Sequence, residues 1–552
     1  MPMPGLFENG RHYGLIKVTL LTLIQGAAAG SAAFATRGLF EALHQGEPLP
    51  FPLIVVLIGS GLVIYGARVA ARLTGERLGQ EYALAIRLAL LEHAAGMPAS
   101  AVAGRRSGFM SLRFVGDMTA FRNWLGRGLP QLIAGSVMIP SACLVLWLLN
   151  PAFAFVTIPI FALALGMIAA VGPRLKKLNR RLRTRRARIA ADMAERMPLA
   201  PELDRMGRRP TELHLLKKRT KRMISAGLDR LFYTEMLKAL PDAIGGFAAV
   251  AILIAGSSAG ASTGAIAGAL AALGLVLLPM RDLAVVWNSR AAYLAAREKC
   301  VTALGRSQRG LYAGAVRVRL PGGPASLSVS DLGLAADEKI SLDLPAGACH
   351  TLTCSPIAAE HLFSTLCGLE RVTPGQIRLS GICLTNLSRA SLRRGVLWLS
   401  TQPAVLKGTL RRNLALGLTK RSSDRLLERA ARMAGLKAIV EKSGLDGNIS
   451  EGARGFSAAE RAALSLARIF LCKPKLLLLD GAVWHLPEMA QQALCAHIRK
   501  TDATLLLHPD LSKFDVFNFL LDKQAVTLPC IGQGTQCFQR GAAVDVGTNK
   551  AS

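Results

Sequence analysis

The sequence lacks the cysteine patterns that hold a metal ion or staple a small secreted domain. Its ten cysteines include no Cys-x-x-Cys pair and no Cys/His quartet with zinc spacing. Most of them fall in the C-terminal part of the chain, which the charge pattern described below places in the cytoplasm, where thiols stay reduced. We therefore interpret the cysteines as small buried or surface thiols.

Acidic residues are scarce beside basic ones. The chain has 36 Asp and Glu against 67 Lys and Arg, which gives a formal net charge of +31. Such an excess can indicate nucleic-acid binding, but no basic groove motif interleaved with aromatic residues accompanies it, and aromatic residues make up only 5%. The charge instead concentrates between long apolar stretches, as in the cytoplasmic loops of membrane proteins. We therefore expect no nucleic-acid partner.

What the chain has in excess is apolar length. It has 552 residues, of which 51% are hydrophobic, and a mean hydropathy of +0.34. A helix needs about 20 residues to cross the hydrocarbon core of a bilayer. The sequence therefore predicts an all-α transmembrane domain over residues 1–304. Its six predicted spans lie at 14–36, 50–71, 129–149, 151–171, 239–258 and 261–283.

The loops between these spans alternate in length and charge. The first, third and fifth are short and contain no Lys or Arg, whereas the second and fourth, 72–128 and 172–238, are long and strongly basic. The positive-inside rule places the long loops and both termini in the cytoplasm. Leucine and isoleucine recur at helical spacing in the first long loop, so we expect helices to continue well beyond the membrane. The start of the chain shows no small-residue cleavage site, so we expect the first span itself to direct insertion.

The composition changes after residue 304. Residues 305–314 have the character of a linker, and 315–522 show short strand patterns, at 315–320 and 326–332, followed by mixed strand and helix signals. A buried central strand is expected over Leu476–Leu479 and another strand over Thr504–Leu507. The sequence thus predicts a C-terminal α/β domain, with a loosely structured tail over 523–552.

Several segments resemble one large family. Residues 451–480 are similar to the signature helix and Walker B strand of ATP-binding cassettes. Residues 90–98 and 115–122 resemble the first intracellular loop and coupling helix of exporter-type half-transporters, and 278–283 resembles the end of their sixth transmembrane helix. From about residue 12 to 522, the chain is therefore similar to the ABC transporter superfamily. The resemblance implies a six-helix transmembrane domain with long cytoplasmic extensions, followed by an α/β P-loop ATPase-like domain.

The resemblance implies ATP and magnesium as ligands, yet the expected phosphate-binding loop is altered. A Walker A loop uses glycines so that backbone N–H groups can cradle phosphates, a lysine for the β- and γ-phosphates, and a Ser or Thr for magnesium. Residues 354–362 contain no glycine and no lysine, and either Ala359 or Glu360 occupies the lysine position, depending on a one-residue gap. Pro356 removes a backbone donor, the added β-carbons hinder close approach, and Glu360 is negatively charged. We expect this loop not to bind a triphosphate.

Two further positions of the resemblance are changed. Leu320 stands where the family places the aromatic residue that stacks on adenine. Thr401 falls at the position of the family's loop glutamine, and Gln402 could take that position if the register shifts by one residue.

The family's signature, Leu-Ser-Gly-Gly-Gln, keeps only its serine. Ala458 and Ala459 crowd a helix N-terminus that should face a γ-phosphate, and Glu460 opposes a phosphate there electrostatically. Ser457 has two interpretations, as a phosphate ligand or as the N-cap of the following helix. The segment reads Phe456, Ser457, Ala458, Ala459 and Glu460.

Two residues at the catalytic end keep the family's identity. Asp480 at the end of the predicted Walker B strand could hold magnesium, or it could simply cap or hydrogen-bond at the strand end. His508 matches the switch histidine, or it could be a surface histidine at a turn before Pro509. Gly481 stands at the position of the general-base glutamate, and glycine has no side chain that could polarise water.

These differences lead to a hypothesis about function. Cassettes of this family dimerise head to tail, so each ATP lies between the Walker A loop of one subunit and the signature of the other. The resemblance therefore implies an ABC-type ATPase that is inactive on its own and pairs with an ATPase-competent half-transporter, which would bind ATP and magnesium mainly with its own residues. The alternative is a non-transporting membrane scaffold or regulator. The apolar spans are consistent with a hydrophobic or amphipathic substrate and equally with ordinary helix packing. The layout favours a bacterial inner membrane.

Overall fold

The computed structural model describes residues 3–103, 118–311, 317–333, 339–400, 402–418 and 422–513. The chain divides into two compact units. The helical unit comprises residues 1–95 and 104–306, and the α/β unit comprises 96–103 and 307–552. Part of the predicted first intracellular loop, the position of Thr401 and the predicted tail over 523–552 lie outside the described residues.

The residues before 311 form helices of very different lengths. A π-helical turn, Trp124–Gly128, joins two of them. In chain order they are α1 (Arg11–Gln45), α2 (Phe51–Ala95), α3 (Ala99–Ala103), α4 (Met118–Asn123), α5 (Leu129–Leu149), α6 (Pro151–Arg196), α7 (Ala200–Arg205), α8 (Arg209–Ser258) and α9 (Thr263–Leu304).

Six of the described helical segments are long and apolar enough to cross a membrane, judged by length and composition, and each overlaps one predicted span. The prediction of a six-helix transmembrane architecture is therefore confirmed. Helices α2, α6 and α8 have 45, 46 and 50 residues, about twice the length that a bilayer requires. The segments are Arg11–Gln45, Phe51–Ala95, Met118–Leu149, Pro151–Arg196, Arg209–Ser258 and Thr263–Leu283.

Small residues let the long helices of the helical unit approach closely. Gly75 and Gly79, one turn apart on α2, face the π-helical turn. A β-carbon on Gly79 would lie 2.5 Å from the Arg122 carbonyl oxygen, and one on Gly75 would lie 2.7 Å from the Gly126 carbonyl oxygen. Two glycines four residues apart are a common device for packing transmembrane helices backbone to backbone. The sequence Gly75-x-x-x-Gly79 therefore fixes where α2 passes over the turn.

In the part of the α/β unit that the structure describes, the strands form two four-stranded sheets and one short pair. The first sheet is antiparallel, with the order β2-β1-β4-β5. The second is parallel, with the order β3-β10-β9-β6. The strands are β1 (Leu327–Gly333), β2 (Lys339–Leu344), β3 (Cys349–Thr351), β4 (Ile377–Leu379), β5 (Ile382–Cys383), β6 (Val396–Leu399), β7 (Gly408–Thr409), β8 (Asn448–Ile449), β9 (Leu476–Leu479) and β10 (Thr504–Leu507).

Helices pack on these sheets and form the core with them. They are α10 (Pro356–Leu366), α11 (Arg389–Gly395), α12 (Leu410–Leu414), α13 (Asp424–Met433), α14 (Lys437–Ser443), α15 (Ala458–Phe470) and α16 (Glu488–Thr501). The prediction of an α/β domain after the helical one is thereby confirmed.

The parallel sheet explains why the predicted strands form where they do. All four leucines of β9 are fully buried between β10 and β6, as expected for a strand covered on both faces. Within the first sheet, β1 begins one residue later than predicted. The pattern at 315–320 gives no strand in its described part, because Val318 forms only an isolated bridge to Leu387.

The segment 96–103 belongs to the α/β unit. The Ala99 N–H donates to the Leu369 carbonyl at 2.8 Å. Both carboxylate oxygens of Glu370 accept from Ser100, one from its backbone N–H and one from its hydroxyl, each at 2.7 Å. Glu370 is itself buried. Helix α3 is thus held by charge-assisted hydrogen bonds to the residues that follow α10.

Candidate functional site

The carboxyl ends of the parallel strands meet at one edge of the α/β unit. Leu507 at the end of β10 pairs with Thr351 on one side and with Leu479 on the other, and Leu479 in turn pairs with Leu399. Asp480 and His508 directly follow two of these strands. Since ligands of open parallel sheets bind at this edge, it is the place to test the predicted nucleotide positions.

Asp480 is 7% exposed and both of its carboxylate oxygens accept hydrogen bonds from the protein. The Ala482 N–H donates to Oδ1 at 2.7 Å, and the indole Nε1–H of Trp398 donates to Oδ2 at 3.0 Å. Burial raises the pKa of Asp480 to about 6, and the negative charge of Glu360 adds to the rise, while the two hydrogen bonds oppose it. Asp480 therefore caps the 3₁₀ turn Gly481–His485.

His508 is buried, with 4% of its surface exposed, so the interpretation as a surface histidine is wrong. Its Nδ1 accepts from the Asp510 backbone N–H at 3.3 Å, and its Nε2 lies 3.2 Å from the carbonyl oxygen of Pro356. With Nδ1 accepting, Nε2 carries the hydrogen and donates to that carbonyl. The ring also makes an edge contact with Phe363, at 6.2 Å between centroids. His508 is thus bound to the first turn of α10.

Helix α10 occupies the place of the altered phosphate loop. Ser355 caps it by accepting the Ala358 N–H at 3.4 Å, and Pro356 stands in the first turn. The two candidates for the lysine position differ in environment. Ala359 is fully buried in the apolar core, whereas Glu360 is exposed and close enough to Asp480 to raise its pKa. The side chain that faces the strand ends from this turn is therefore a carboxylate.

The altered signature forms a capping box at the start of α15. The Ser457 hydroxyl oxygen accepts the Glu460 N–H at 3.1 Å, and a Glu460 carboxylate oxygen accepts the Ser457 N–H at 2.7 Å and its hydroxyl at 3.0 Å. A capping box satisfies two otherwise unpaired donors at a helix N-terminus. Ser457 therefore acts as an N-cap, and the Glu460 carboxylate lies at the helix N-terminus. Phe456 is partly buried against the core, and Ala458 and Ala459 are half-buried.

Leu320 does not lie with the other predicted positions. Its side chain is 8% exposed and packs against Gly395, where an added β-carbon would lie 2.7 Å from Leu320 Cδ1. Its carbonyl oxygen accepts from Lys475 Nζ at 3.1 Å. Gly395 and Lys475 precede β6 and β9, so they lie at the amino ends of these strands, opposite Asp480. Leu320 therefore cannot stack on a base at the carboxyl edge, and assigning it to the adenine position was a misplacement.

Two remaining positions are simpler. Gln402 is exposed, and its backbone N–H donates to the Ser400 hydroxyl at 3.1 Å. Gly481 is half-buried, and a β-carbon there would make only an ordinary contact, 3.8 Å from Trp484 Cδ1.

Trp398 is the residue of this edge that the motifs did not indicate. It lies on β6 opposite Leu478 of β9, and its ring packs edge-on against Phe363 of α10 at 5.9 Å. Trp398, Phe363 and His508 form an aromatic cluster around Asp480. The sequence signal for Trp398 is weak, because it is one aromatic residue in a short strand and its partner is 82 residues away.

Comparison with known protein families identifies both units. A model of the ABC transporter transmembrane region matches residues 15–266. A model described as ABC transporter matches residues 360–483, which run from the first turn of α10 to the turn after Asp480. The chain belongs to the ABC transporter superfamily. Together the two models span more than half of its length, in the order of an exporter-type half-transporter.

Curated relatives of this ABC protein have names that state different activities. A lactococcin transport/processing ATP-binding protein LcnC-like of Lactococcus lactis is 29% identical over 147 residues, 26% of this chain and 21% of that protein. A fatty acid ABC transporter ATP-binding/permease protein of Mycobacterium tuberculosis is 22% identical over 408 residues, 70% of this chain and 63% of that protein. The glutathione/L-cysteine transport system protein CydD of Haemophilus influenzae is 26% identical over 209 residues, 37% of this chain and 35% of that protein. Each match spans less than two thirds of the relative's own length.

Proposed function

We propose that this chain is the non-catalytic subunit of an exporter-type ABC transporter and works with an ATPase-competent half-transporter. The observation that carries the proposal is that the surviving nucleotide residues are bound to the protein itself. Asp480 accepts hydrogen bonds from Ala482 and Trp398. His508 donates a hydrogen bond to the Pro356 carbonyl, and Ser457 accepts one from the Glu460 N–H. Groups that already have internal partners are poorly placed to receive a nucleotide.

The residues at the carboxyl edge do not fit magnesium-ATP. The start of α10 offers either buried Ala359 or exposed Glu360 where a lysine would be needed, and Pro356 supplies no N–H. Magnesium prefers an octahedral set of oxygen ligands, whereas both oxygens of Asp480 accept protein N–H groups. We therefore propose that this chain alone holds neither ATP nor magnesium.

Pairing with a competent partner follows from the family's head-to-tail arrangement. In such a dimer the partner's Walker A loop would face the start of α15. A γ-phosphate there would meet the Glu460 carboxylate and a helix N-terminus at which the Ser457 and Glu460 N–H groups are already engaged in the capping box. We propose that hydrolysis in the complex runs mainly on the partner's residues and that this chain's signature slows it.

The substrate and the membrane follow from the helical unit. The membrane-spanning segments are strongly apolar, and we propose a hydrophobic or amphipathic substrate. The names of the relatives mention lactococcin, fatty acids and glutathione or cysteine, and so they agree on no single substrate. The basic run at 174–188 follows the fourth span directly. By the positive-inside rule we propose an inner-membrane protein with both termini in the cytoplasm.

The decisive experiment is to co-express the chain with an intact half-transporter and to purify the complex. We expect an azido-ATP photoprobe with magnesium to label the partner and not this chain. We also expect replacement of the partner's Walker A lysine by alanine to abolish both magnesium-dependent ATPase activity and transport. Labelling of this chain alone would contradict the proposal.

The same experiment tests the alternative of a membrane scaffold or regulator. A complex that forms, but whose transport is unchanged by the partner's lysine variant, would favour the scaffold. A matched control is Asp343→Ala in this chain, because Asp343 is an exposed residue of β2, which belongs to the antiparallel sheet and not to the parallel sheet of Asp480 and His508. It should leave labelling, ATPase activity and transport unchanged.

A further inference from the structure

The α/β unit contains a cavity of about 580 Å³ at the edge opposite Asp480 and His508. Gly395, directly before β6, and Lys475, directly before β9, are among the residues that line it. The cavity therefore lies at the amino ends of the parallel strands, whereas the predicted nucleotide positions lie at the carboxyl ends. Its volume is in the range of about 300–1,000 Å³ that is usual for small-molecule sites.

Four basic side chains line this cavity, and the described residues of its lining include no Asp or Glu. Lys475 is half-buried, and its ammonium group donates to the carbonyl oxygens of Leu320 and Pro321. Arg319, Arg394 and Lys473 are the other three basic residues, and all are exposed. A concave surface with charge of one sign focuses the electrostatic potential and raises the local concentration of counter-ions.

Two of the four basic residues in the lining are arginines, Arg319 and Arg394. The Cys472 thiol, in the same lining, is half-buried. Burial raises its pKa, while the charges of Arg394 and Arg393 oppose the rise. Arginine presents planar N–H donors that match phosphate oxygens in pairs, so Arg319 and Arg394 are well suited to a phosphate group.

Hydroxyl and apolar side chains also line the cavity. The Ser391 hydroxyl accepts the Leu320 N–H at 3.2 Å and pairs with the Ser388 hydroxyl at 3.0 Å. Leu418 and Leu471 add apolar surface. The combination of basic, hydroxyl and apolar side chains fits a small organic phosphate better than a simple inorganic anion.

We propose that this cavity binds a small phosphorylated molecule that carries at least two negative charges. The site is separate from the nucleotide positions of the family, because the two lie at opposite ends of the parallel strands. The inference therefore does not depend on the proposed loss of ATP binding at the carboxyl edge.

The test is calorimetric titration of the full-length chain, in nanodiscs of zwitterionic lipid, with sodium tripolyphosphate as the probe. We expect saturable binding that weakens as the salt concentration rises. The double variant Arg394→Gln/Lys473→Gln should weaken the affinity by roughly tenfold or more, because two charge-assisted contacts are lost. The matched control Arg425→Gln/Arg429→Gln removes the same charge from exposed positions on α13, outside the cavity, and should bind as the wild type does.

Two results would overturn the proposal. One is the absence of saturable binding at millimolar probe, and the other is an equal loss of affinity in both double variants, which would indicate general charge attraction. Repeating the titration in nanodiscs with an anionic lipid separates soluble ligands from lipid head groups. We expect the affinity to be unchanged, and its loss there would mean that a head group fills the cavity and would refute a soluble ligand.

An ATP titration keeps this inference distinct from the proposed function. If ATP binds the wild type and binds Arg394→Gln/Lys473→Gln more weakly, the result supports the cavity as the binding site. ATP binding that survives this double variant, while tripolyphosphate binding is lost, would contradict the proposed function and leave the cavity supported.

Discussion

Replacing Asp480 with asparagine removes a buried charge and keeps the shape of the side chain. In the native protein the two carboxylate oxygens accept from Ala482 and Trp398, and the residue is almost entirely buried. Asparagine offers one acceptor oxygen, so it loses one of these bonds at every pH. That loss lowers the free energy of unfolding by the same amount at every pH. The ionisation of the native carboxylate adds a difference that depends on pH.

The pH-dependent difference can be estimated from the raised pKa. Below the ordinary value of 3.8, Asp480 is protonated in both the folded and the unfolded chain. Between about 4 and about 6, the unfolded chain has released the proton while the folded chain still holds it, so the free energy of unfolding falls as the pH rises. Above the folded pKa of about 6 the effect is complete and amounts to roughly 3 kcal/mol. The free energy of unfolding of the wild type, minus that of Asp480→Asn, should therefore fall by this amount between about pH 4 and pH 7.

The assay is urea unfolding of the full-length protein in detergent at a series of pH values, read by a pulse of hydrogen exchange. The reporter peptide contains Leu476–Leu479, which lies at the centre of the parallel sheet and exchanges when the α/β unit unfolds. The variant Asp343→Asn makes the same chemical change at an exposed position and should not reproduce the fall. A difference between wild type and Asp480→Asn that stays constant over this range would refute the buried, hydrogen-bonded carboxylate.

Three further predictions use the same protein. Ser457→Ala and Glu460→Ala should each cost about 0.5–2 kcal/mol of cassette stability, and the double variant should cost less than their sum because one capping box is lost; full additivity would argue against the box. Glu370→Ala should speed hydrogen exchange over residues 96–103, because both of its oxygens hold Ser100, whereas Glu441→Ala at an exposed position should not; unchanged exchange would contradict the anchoring. Gly79→Ala should destabilise the helical unit by about 1–3 kcal/mol, since its β-carbon would lie 2.5 Å from a backbone oxygen. On the same helix, Gly66 has no described atom within 4 Å, so Gly66→Ala should keep or raise the thermal unfolding temperature, since alanine favours a helix over glycine, and equal falls for the two variants would refute the close crossing.

Much of the fold could be predicted because it depends on local patterns. Spans of about 20 apolar residues are set by the thickness of the bilayer, and the four consecutive leucines of β9 already indicate a strand covered on both faces. The positions of the strands in the α/β unit were harder to predict. The pattern at 315–320 is typical of a strand, but Val318 finds only one bridging partner, Leu387. A segment forms a strand only where a neighbouring strand pairs with it, and the sequence of the segment does not show which neighbour is available.

The candidate site divides in the same way. The capping box at Ser457 and Glu460 involves residues three positions apart, and the spacing Ser-x-x-Glu is sufficient to indicate it. Leu320 was misplaced because its position in the chain order does not say which edge of the sheet it reaches. Trp398 was missed because it meets Asp480 only through the pairing of β6 with β9.

The sequence by itself determined which chemical groups this protein has. It established that residues 354–362 contain no lysine and no glycine, that Gly481 has no side chain to act as a base, and that six stretches are long enough for a membrane. Only the tertiary structure decided what the surviving residues do. Asp480, His508 and Ser457 could each have faced a ligand or the protein, and the structure gives each of them a hydrogen-bond partner within the protein. For Asp480 and His508 those partners come from distant segments that the parallel sheet brings together, so no local pattern could have revealed them.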